Sequence, residues 1–348
     1  MPYLSTEAMK SLLLFVTCLA ATAVMGVEEA LVPHIRGPWT TIAHDPDLGG
    51  LSSEHQQPVD FGIWRAADNT WQLWSCVRHT KESGRTRLFH RWESGSLTAP
   101  DWKPMGIAMR ADSTLGETPG GLQAPFVFRD GGKFRMLYGD WVRICSATSE
   151  EGKSFRRDVH TNGQPALFAE GHEENARDPF VMKIGDRWYC YYTATRTTER
   201  SENDKPITRK IGVVYVRTSP DLATWSEAQV VASGGEAGDG LFSAECPHVV
   251  EVTPGHFYLF RTQRYGWGAQ TRVYHSTDPM DFGHGPSDEG DARHLVSSLP
   301  MAAPEIVKMD GQWFVAALRE DLKGIQVAGL EWLPMSEVPS GPDAKLKD

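Results

Sequence analysis

The sequence contains no run of basic residues, and its 45 acidic side chains outnumber its 35 basic ones. Proteins that bind nucleic acid usually carry a basic patch or stripe on one face. A net charge of −10 without such a cluster therefore predicts that nucleic acid is not a partner.

Cysteine is also scarce, with five residues in 348. None of the five forms the CxxC spacing that is typical of cysteine-rich metal sites, so the cysteines predict no metal centre. The four that follow the N-terminal segment allow one disulfide in an exported protein, or they are buried thiols. Their positions do not decide between these alternatives: Cys76, Cys145, Cys190 and Cys246.

Long hydrophobic runs are limited to residues 11–26, "SLLLFVTCLAATAVMG", which follow Lys10. This stretch is short for a bilayer span, and it contains small residues that suit a cleavage site. We predict a signal peptide over residues 1–26 and a secreted or periplasmic protein that has no stable membrane association after cleavage. An uncleaved anchor is the alternative.

Aromatic and turn-forming residues are abundant, with 12 Trp, 14 Phe, 33 Gly and 22 Pro. This composition favours a protein that is rich in strands and turns. With 40% hydrophobic residues, the chain can bury a sizeable core. We predict one β domain over residues 27–337, followed by a polar tail over residues 338–348.

One hairpin pattern occurs five times along this domain. Each copy has a strand, a short turn, and a second strand that opens on an aromatic residue. These aromatics are Trp71, Phe134, Trp188, Phe257 and Trp313. Segments such as "ICSATSEEGKSF" and "RVYHSTDPMDF" add a third and a fourth strand between copies. The pattern predicts an all-β fold, a five-bladed β-propeller with four antiparallel strands per blade. A β-sandwich, or two unrelated β domains, is the alternative.

The two ends of the domain complete the last blade in this prediction. Residues 324–335 supply its third strand, and residues 38–45, "PWTTIAHD", are predicted to supply the fourth. Such pairing would close the ring and remove an exposed sheet edge.

The first strand of each blade lines the central channel of a propeller, so the starts of these strands meet at one mouth. In register they read Val59-Asp60, Gln123-Ala124, Arg177-Asp178, Glu245-Cys246 and Ala302-Ala303. This brings Asp60, Asp178 and Glu245 to the same mouth. Three carboxylates in a concave site repel one another and lose hydration, which is typical of function rather than of structure. A pair of carboxyl groups that flank a sugar suits glycosidic bond cleavage.

Asp60, the Arg-Asp-Pro run at 177–179 and the Glu-Cys-Pro-His run at 245–248 resemble glycoside hydrolase families 43 and 32. The resemblance covers roughly residues 38–333. It implies that Glu245 is the general acid and that Asp178 stabilises the transition state or modulates the pKa of the acid. Asp60 would be the nucleophile, as in family 32, or the general base, as in family 43.

Further residues take binding roles by the same resemblance. Arg177 would hydrogen-bond sugar hydroxyls, with a salt bridge to Asp178 or Glu245 as the alternative. His248 would orient Glu245, or is a core histidine. Apart from the resemblance, Trp141 and Trp267 lie outside the repeat pattern and follow second strands, so they are predicted to offer aromatic faces to sugars, or to pack between blades.

The sequence departs from both families. Around Asp60 it reads "PVDFG" rather than the Asn-Asp-Pro-Asn-Gly run of family 32, which weakens a sucrose or fructan specificity. The fifth blade lacks the metal-associated histidine of family 43, so no channel metal and no cofactor are predicted. Asp45, in "HDPDLGG", competes with Asp60 for the role of first carboxylate.

We predict an exported, exo-acting glycoside hydrolase that acts on a furanosidic or related oligo- or polysaccharide. The alternatives are a non-catalytic sugar-binding propeller, a sialidase-like enzyme and a glycoside phosphorylase. The sequence leaves open the sugar, the linkage, retention or inversion, and the oligomeric state.

Overall fold

The computed structural model describes residues 29–168, 174–202, 205–284 and 293–337. The predicted signal peptide and polar tail lie outside these residues. The helices of the described part are short 3-10 turns at Gly49–Leu51, Ser113–Leu115, Gly235–Ala237 and Met335–Glu337. In the described part of the chain, no helix is both long and apolar enough to cross a membrane.

The rest of the regular structure is β-strand. In chain order the strands are β1 (Leu31–His44), β2 (Gln57–Arg65), β3 (Trp71–Arg78), β4 (Leu88–Ser94), β5 (Lys103–Met109), β6 (Gln123–Asp130), β7 (Lys133–Gly139), β8 (Ile144–Ser149), β9 (Arg156–Arg157), β10 (Ala166–Phe168), β11 (Glu174–Ile184), β12 (Arg187–Glu202), β13 (Lys205–Ser219), β14 (Gln229–Ala232), β15 (Glu245–Thr253), β16 (His256–Arg264), β17 (Gln270–Ser276), β18 (Leu295–Leu299), β19 (Glu305–Met309), β20 (Gln312–Leu318) and β21 (Gly324–Pro334).

These strands form five antiparallel sheets, each with a path of four strands. Blade one contains β2–β5, blade three β11–β14 and blade four β15–β18. Blade two follows the path β6, β7, β8, β10, and β9 pairs with β8 outside it. Blade five contains β19, β20, β21 and β1. The predicted five-bladed propeller is confirmed.

The first strands form the inner ring of the molecule. Each of β2, β6, β11 and β15 contacts the first strand of the following blade, and β19 contacts β2 to complete the circle. An axial cavity between them is lined by residues from all five of these strands and the residues just before them. The starts of the first strands therefore surround one mouth, as predicted.

Aromatic side chains fill the spaces between neighbouring blades. Phe126 of blade two packs against Phe180 of blade three, with ring centroids 4.7 Å apart. In blade five, Trp332 packs against Tyr258 of blade four at 4.6 Å. Because a four-stranded sheet cannot bury both faces alone, this stacking gives each blade its core.

The closing strand is longer than predicted. It runs from Leu31 to His44, and it pairs with β21 from Leu31 opposite Pro334 to His44 opposite Gly324. The register shifts between Arg36 and Thr40, so the strand continues on the N-terminal side of the predicted residues 38–45. The predicted closure of the last blade by the N-terminal strand is confirmed.

Antiparallel order places the loops that join second to third strands on the mouth face. A first strand begins at the mouth, so the second ends there and the third begins there. In blade three this connection is unusually long, because β12 and β13 stay paired from Trp188 to Glu202. Past Thr195, where β11 stops pairing, the hairpin extends alone by roughly 20 Å.

None of the four cysteines in the described residues takes part in a disulfide. The sequence allowed either one disulfide or buried thiols, and the structure contains thiols. Three are buried within blades one to three, and Cys246 lies half-buried at the mouth.

Candidate functional site

The first strand of every blade is distorted at the same position. The residues there have positive φ angles, and none of them is glycine: Asp60 (42°), Ala124 (41°), Asp178 (54°), Cys246 (47°) and Ala303 (49°). In the first four blades the pairing with the second strand shifts around this residue, as in a β-bulge. Non-glycine residues in this region cost about 1–3 kcal/mol each and cluster at functional sites. All five line the axial cavity.

A second, larger cavity of about 830 Å³ lies at the mouth, and we call it the mouth cavity. Asp60 lines both cavities. The mouth cavity is lined by Asp60, Arg78, Arg87, Gln123, Trp141, Asn175, Arg177, Phe242, Glu245, Gln263, Arg264 and Tyr265. Four of the predicted site residues thus meet in one place: Asp60, Trp141, Arg177 and Glu245.

Asp178 lies in the axial cavity instead, where it is 4% exposed. Its Oδ2 accepts a hydrogen bond from the backbone N–H of Cys246 at 3.1 Å. Asp60 and Asp178 both occupy the bulge position of their blades, whereas Glu245 stands one residue earlier, level with Arg177. This offset places Glu245 in the mouth cavity and leaves Cys246 on the axis.

Arg177 holds Glu245 by two hydrogen bonds. Its Nε donates to Oε2 at 3.2 Å and its Nη2 donates to Oε1. The remaining nitrogen, Nη1, donates to the carbonyl of Asn175 at 2.8 Å, and Nε lies 3.9 Å from Asp178 Oδ2. Burial opposes the charge on Arg177, but the Glu245 carboxylate, with smaller contributions from Asp178 and Tyr265, outweighs burial and raises the pKa of the guanidinium. The ion pair is the alternative that the sequence left open for Arg177.

Asp60 is held through one carboxylate oxygen. Tyr265 Oη donates to Oδ1 at 3.1 Å, and Cys246 Sγ donates to the same atom at 3.4 Å. Burial, followed by the Asp60 and Asp178 carboxylates, raises the pKa of both the tyrosine and the thiol. Both therefore keep their protons at neutral pH and remain donors. The described residues make both of these hydrogen bonds to Oδ1, and none of them hydrogen-bonds to Oδ2.

The environment of Asp178 disfavours its charged form. Burial is the main cause, and the negative charges of Glu245 and Asp60 add to it, so the pKa of Asp178 lies well above its usual value. Arg177 and the Cys246 N–H oppose this shift. Asp178 therefore holds its proton to a higher pH than an ordinary aspartate.

His248 does not contact Glu245. It lies deeper along β15, where its Nε2 accepts from the N–H of Ile306 at 3.3 Å and its Nδ1 is 3.5 Å from Glu305 Oε2. Its ring packs 4.2 Å from Phe180. Of the two alternatives for His248, its contacts with Ile306, Glu305 and Phe180 favour a core histidine over a residue that orients Glu245.

The two tryptophans are in different places. Trp141 lines the mouth cavity, but the guanidinium groups of Arg85 and Arg87 lie over its ring, at 4.6 and 5.0 Å from the centroid. Trp267 is 80% exposed and lines a neighbouring cavity on the same face, with Trp39. The structure therefore brings Trp141 to the carboxylates, and it does not bring Trp267.

Asp45 is not among the residues that line either cavity. Its Oδ2 pairs with Lys323 Nζ at 3.0 Å, and its Oδ1 accepts from Gln56 Nε2 at 2.9 Å. These contacts fix the loop after β1. Of the two candidates for the first carboxylate, the geometry favours Asp60.

Several residues of the site carry no clear signal in the sequence. Tyr265 belongs to the "RYGWG" segment, in which Trp267 is the more conspicuous residue. Arg78 and Arg264 end the second strands of blades one and four, and Arg87 directly precedes β4, so their meeting depends on the ring. Glu305 follows a strand-head proline and lines the axial cavity, where burial raises its pKa and His248 opposes the rise.

No three His, Cys, Asp or Glu side chains among the described residues are grouped in a way that would hold a metal ion. The expectation that the channel needs no metal stays a prediction.

No protein-family model matches this sequence, and no curated protein matches it. Solved structures do. A family 43 β-xylosidase/α-arabinofuranosidase from a compost microbial metagenome has a TM-score of 0.54 and 15% identity, over 86% of this chain and 95% of that one. A family 43 enzyme from Xanthomonas citri, complexed with xylose, has a TM-score of 0.55 and 13% identity, over 87% and 97%.

The family 32 β-fructofuranosidase of Bombyx mori has a TM-score of 0.50 and 16% identity, over 87% of this chain and 62% of that protein. At such identities the likeness shows a shared fold. The chain therefore has the five-bladed propeller fold of glycoside hydrolase families 43 and 32.

Proposed function

We propose that this chain, which has the propeller fold of glycoside hydrolase families 43 and 32, hydrolyses glycosidic bonds in its mouth cavity. One observation carries the proposal: Asp60 of blade one and Glu245 of blade four line the same open cavity. Glycoside hydrolysis needs two carboxyl groups that flank one sugar. The propeller ring brings them together although 185 residues separate them in the chain.

Each carboxyl group has a distinct task in this proposal. Glu245 gives its proton to the glycosidic oxygen as the bond from that oxygen to the anomeric carbon breaks. Asp60 either attacks the anomeric carbon or takes a proton from the water that attacks it. The Cys246 thiol and the Tyr265 hydroxyl keep Oδ1 of Asp60 in place, and Oδ2 faces the reacting carbon.

In this proposal, the ion pair between Arg177 and Glu245 is present before the substrate binds and breaks when it binds. A general acid must carry a proton that it can give away, so Glu245 cannot act as the acid while it serves Arg177 as a carboxylate partner. We propose that sugar hydroxyls take up N–H groups of Arg177 when the substrate binds. Glu245, released from Arg177, then takes a proton from solvent and gives it to the glycosidic oxygen.

The substrate is proposed to be an oligo- or polysaccharide that is cut from its end, because the cavity is a funnel above a narrow axis. Structural neighbours are complexed with xylose, xylotriose and sucrose, which supports a saccharide ligand. Export through residues 1–26 is part of the proposal, and N-terminal sequencing of the mature protein tests it.

The test compares wild-type protein with Glu245→Gln on a panel of aryl and natural glycosides. Loss of the acid should lower kcat/KM on natural glycosides by roughly 10²–10⁴-fold. The loss should be much smaller for aryl glycosides whose leaving group needs no proton. Glu251→Gln is the matched control, because Glu251 is exposed on the same strand and lies outside the cavity. Equal activity of wild type and Glu245→Gln on natural glycosides would contradict the assignment.

A sugar-binding propeller without catalysis is the second candidate. The two-point ion pair between Arg177 and Glu245 favours it, because a carboxylate held in this way needs no proton to serve as a hydrogen-bond acceptor. Saccharide binding by a wild type that turns over nothing on the panel would decide for this candidate.

A further inference from the structure

The mouth cavity carries positive charge in an acidic protein. Four arginines line it, against two carboxylates, although the chain has a net charge of −10. One arginine, Arg177, is neutralised by Glu245. The other three are Arg78, Arg87 and Arg264, and we call them the arginine arc.

The side-chain hydrogen-bond partners of the arginine arc among the described residues are all neutral, although the Asp60 and Asp178 carboxylates act on Arg87 through space and help to raise its pKa. Arg78 Nε donates to Gln57 Oε1 at 2.9 Å, Arg264 donates to Gln270 Oε1, and Arg87 Nη1 lies 3.7 Å from Cys76 Sγ.

Other arginines of the chain show a different pattern. Arg143 pairs with Asp140 at 2.7 Å, and Arg157 pairs with Glu117 at 2.7 Å. These two arginines, which lie outside the mouth cavity, form ion pairs with buried carboxylates. The three residues of the arginine arc form no such ion pair among the described residues.

Arg87 is also held in position before any ligand binds. Its guanidinium stacks over the Trp141 ring, which is fixed in a left-handed backbone conformation with φ of 80°. The positive charge of the arginine arc also affects a neighbouring histidine. Burial, followed by the charges of Arg78 and Arg87, lowers the pKa of His79.

We propose that the mouth cavity selects a saccharide with an anionic substituent, which the arginine arc binds. The chemistry is that of an oxyanion, the carboxylate of a uronic acid or a sulfate ester. Guanidinium groups hold both in charge-assisted, often bidentate hydrogen bonds. This inference rests on the proposed function only in taking a saccharide as the ligand.

Calorimetry on matched ligand pairs tests the proposal. One pair is an oligogalacturonate and its carboxyl-reduced form, and the other is a sulfated galactan oligosaccharide and its desulfated form. We expect wild type to bind the anionic member of one pair at least tenfold more tightly. The difference should shrink as salt is raised, because salt screens exposed charges.

Substitutions locate the effect. Arg264→Gln and Arg78→Gln should each weaken binding of the preferred anionic ligand by roughly tenfold to a hundredfold, the range of a hydrogen bond to a charged group. Binding of the neutral partner should stay the same. Arg65→Gln is the control, because it removes the same charge from an exposed residue at the end of β2 that faces away from the mouth.

Equal binding of both members in both pairs would overturn the proposal, as would loss of anion preference in Arg65→Gln but not in Arg264→Gln. Inorganic phosphate is the third probe. If turnover requires it and it displaces the anionic saccharide, the arc serves a phosphorylase and the proposal is wrong. Calorimetry measures binding without turnover, so the two proposals can fail separately. If the protein prefers the anionic ligand but hydrolyses no glycoside, this inference holds and the hydrolase proposal fails.

Discussion

At the scale of single residues, burial opposes charge around the mouth, and Asp178 is the clearest case. Its carboxyl group is enclosed in the axial cavity beside two further carboxylates, and one backbone N–H is its direct hydrogen-bond donor. Buried charge of this kind destabilises a fold unless it is fully paired. Its retention at the strand head fits a functional role better than a structural one.

Asp178→Asn should therefore stabilise the protein at neutral pH. The native pKa of Asp178 is raised, so its contribution to the free energy of unfolding is complete below the unfolded pKa, near 3.9. That contribution is lost as pH rises through the native value. The variant removes this loss. We expect it to unfold at higher urea concentration than wild type at pH 7, with the gap closing toward pH 4.

Urea unfolding between pH 4 and pH 8 measures this effect. Asp186→Asn, in the exposed turn at the other end of the same hairpin, should leave the wild-type pH dependence unchanged. A variant of Asp178 that is less stable than wild type across the whole range would contradict the assigned cause.

At the scale of elements, the approach of neighbouring first strands sets the geometry of the site. Gly62 lies on β2 two residues after Asp60, and a Cβ there would collide with the carbonyl oxygen of Pro125 on β6. Only glycine lets these strands lie so close. The spacing between blades one and two, and with it the position of Asp60, depends on this residue.

Gly62→Ala should destabilise the protein by about 1–3 kcal/mol, because the two backbones must move apart. It should also lower activity by displacing Asp60. The matched control is Gly95→Ala, where an added Cβ meets open space. Thermal unfolding of both variants is the measurement, and equal melting temperatures would show that the strands can adjust.

For the whole molecule, ring closure is the decisive feature. β1 pairs with β21 along its length, and the N–H of Leu31 donates to Tyr258 Oη of blade four at 2.8 Å. The strand thus ties the last blade to the start of the chain. Without it, β21 would be an exposed edge that invites association with other chains.

A chain that begins at Asp45 should consequently lose cooperative unfolding and associate in solution. Size-exclusion chromatography and thermal unfolding are the measurements. A chain that ends at Glu337 keeps every described strand and serves as the control. A monomeric, cooperatively unfolding protein without β1 would show that the blades hold the ring together by themselves.

The sequence by itself determined the architecture. Turn residues, period-2 alternation and marker aromatics are local signals, so five hairpins and their closing strand are readable from residues that lie near one another in the chain. The positions of Asp60, Asp178 and Glu245 at strand heads follow from the same register.

Tertiary structure alone decided which side chains meet. Arg177 hydrogen-bonds to Glu245, which lies 68 residues away in the sequence, and Tyr265 hydrogen-bonds to Asp60, which lies 205 residues away. Glu245 lies one residue before the bulge position that the two aspartates occupy, His248 lies beside Glu305 of blade five, and Trp267 lines another cavity. Such contacts depend on how blades pack around the axis, and packing is a property of the closed ring that no single stretch of sequence contains.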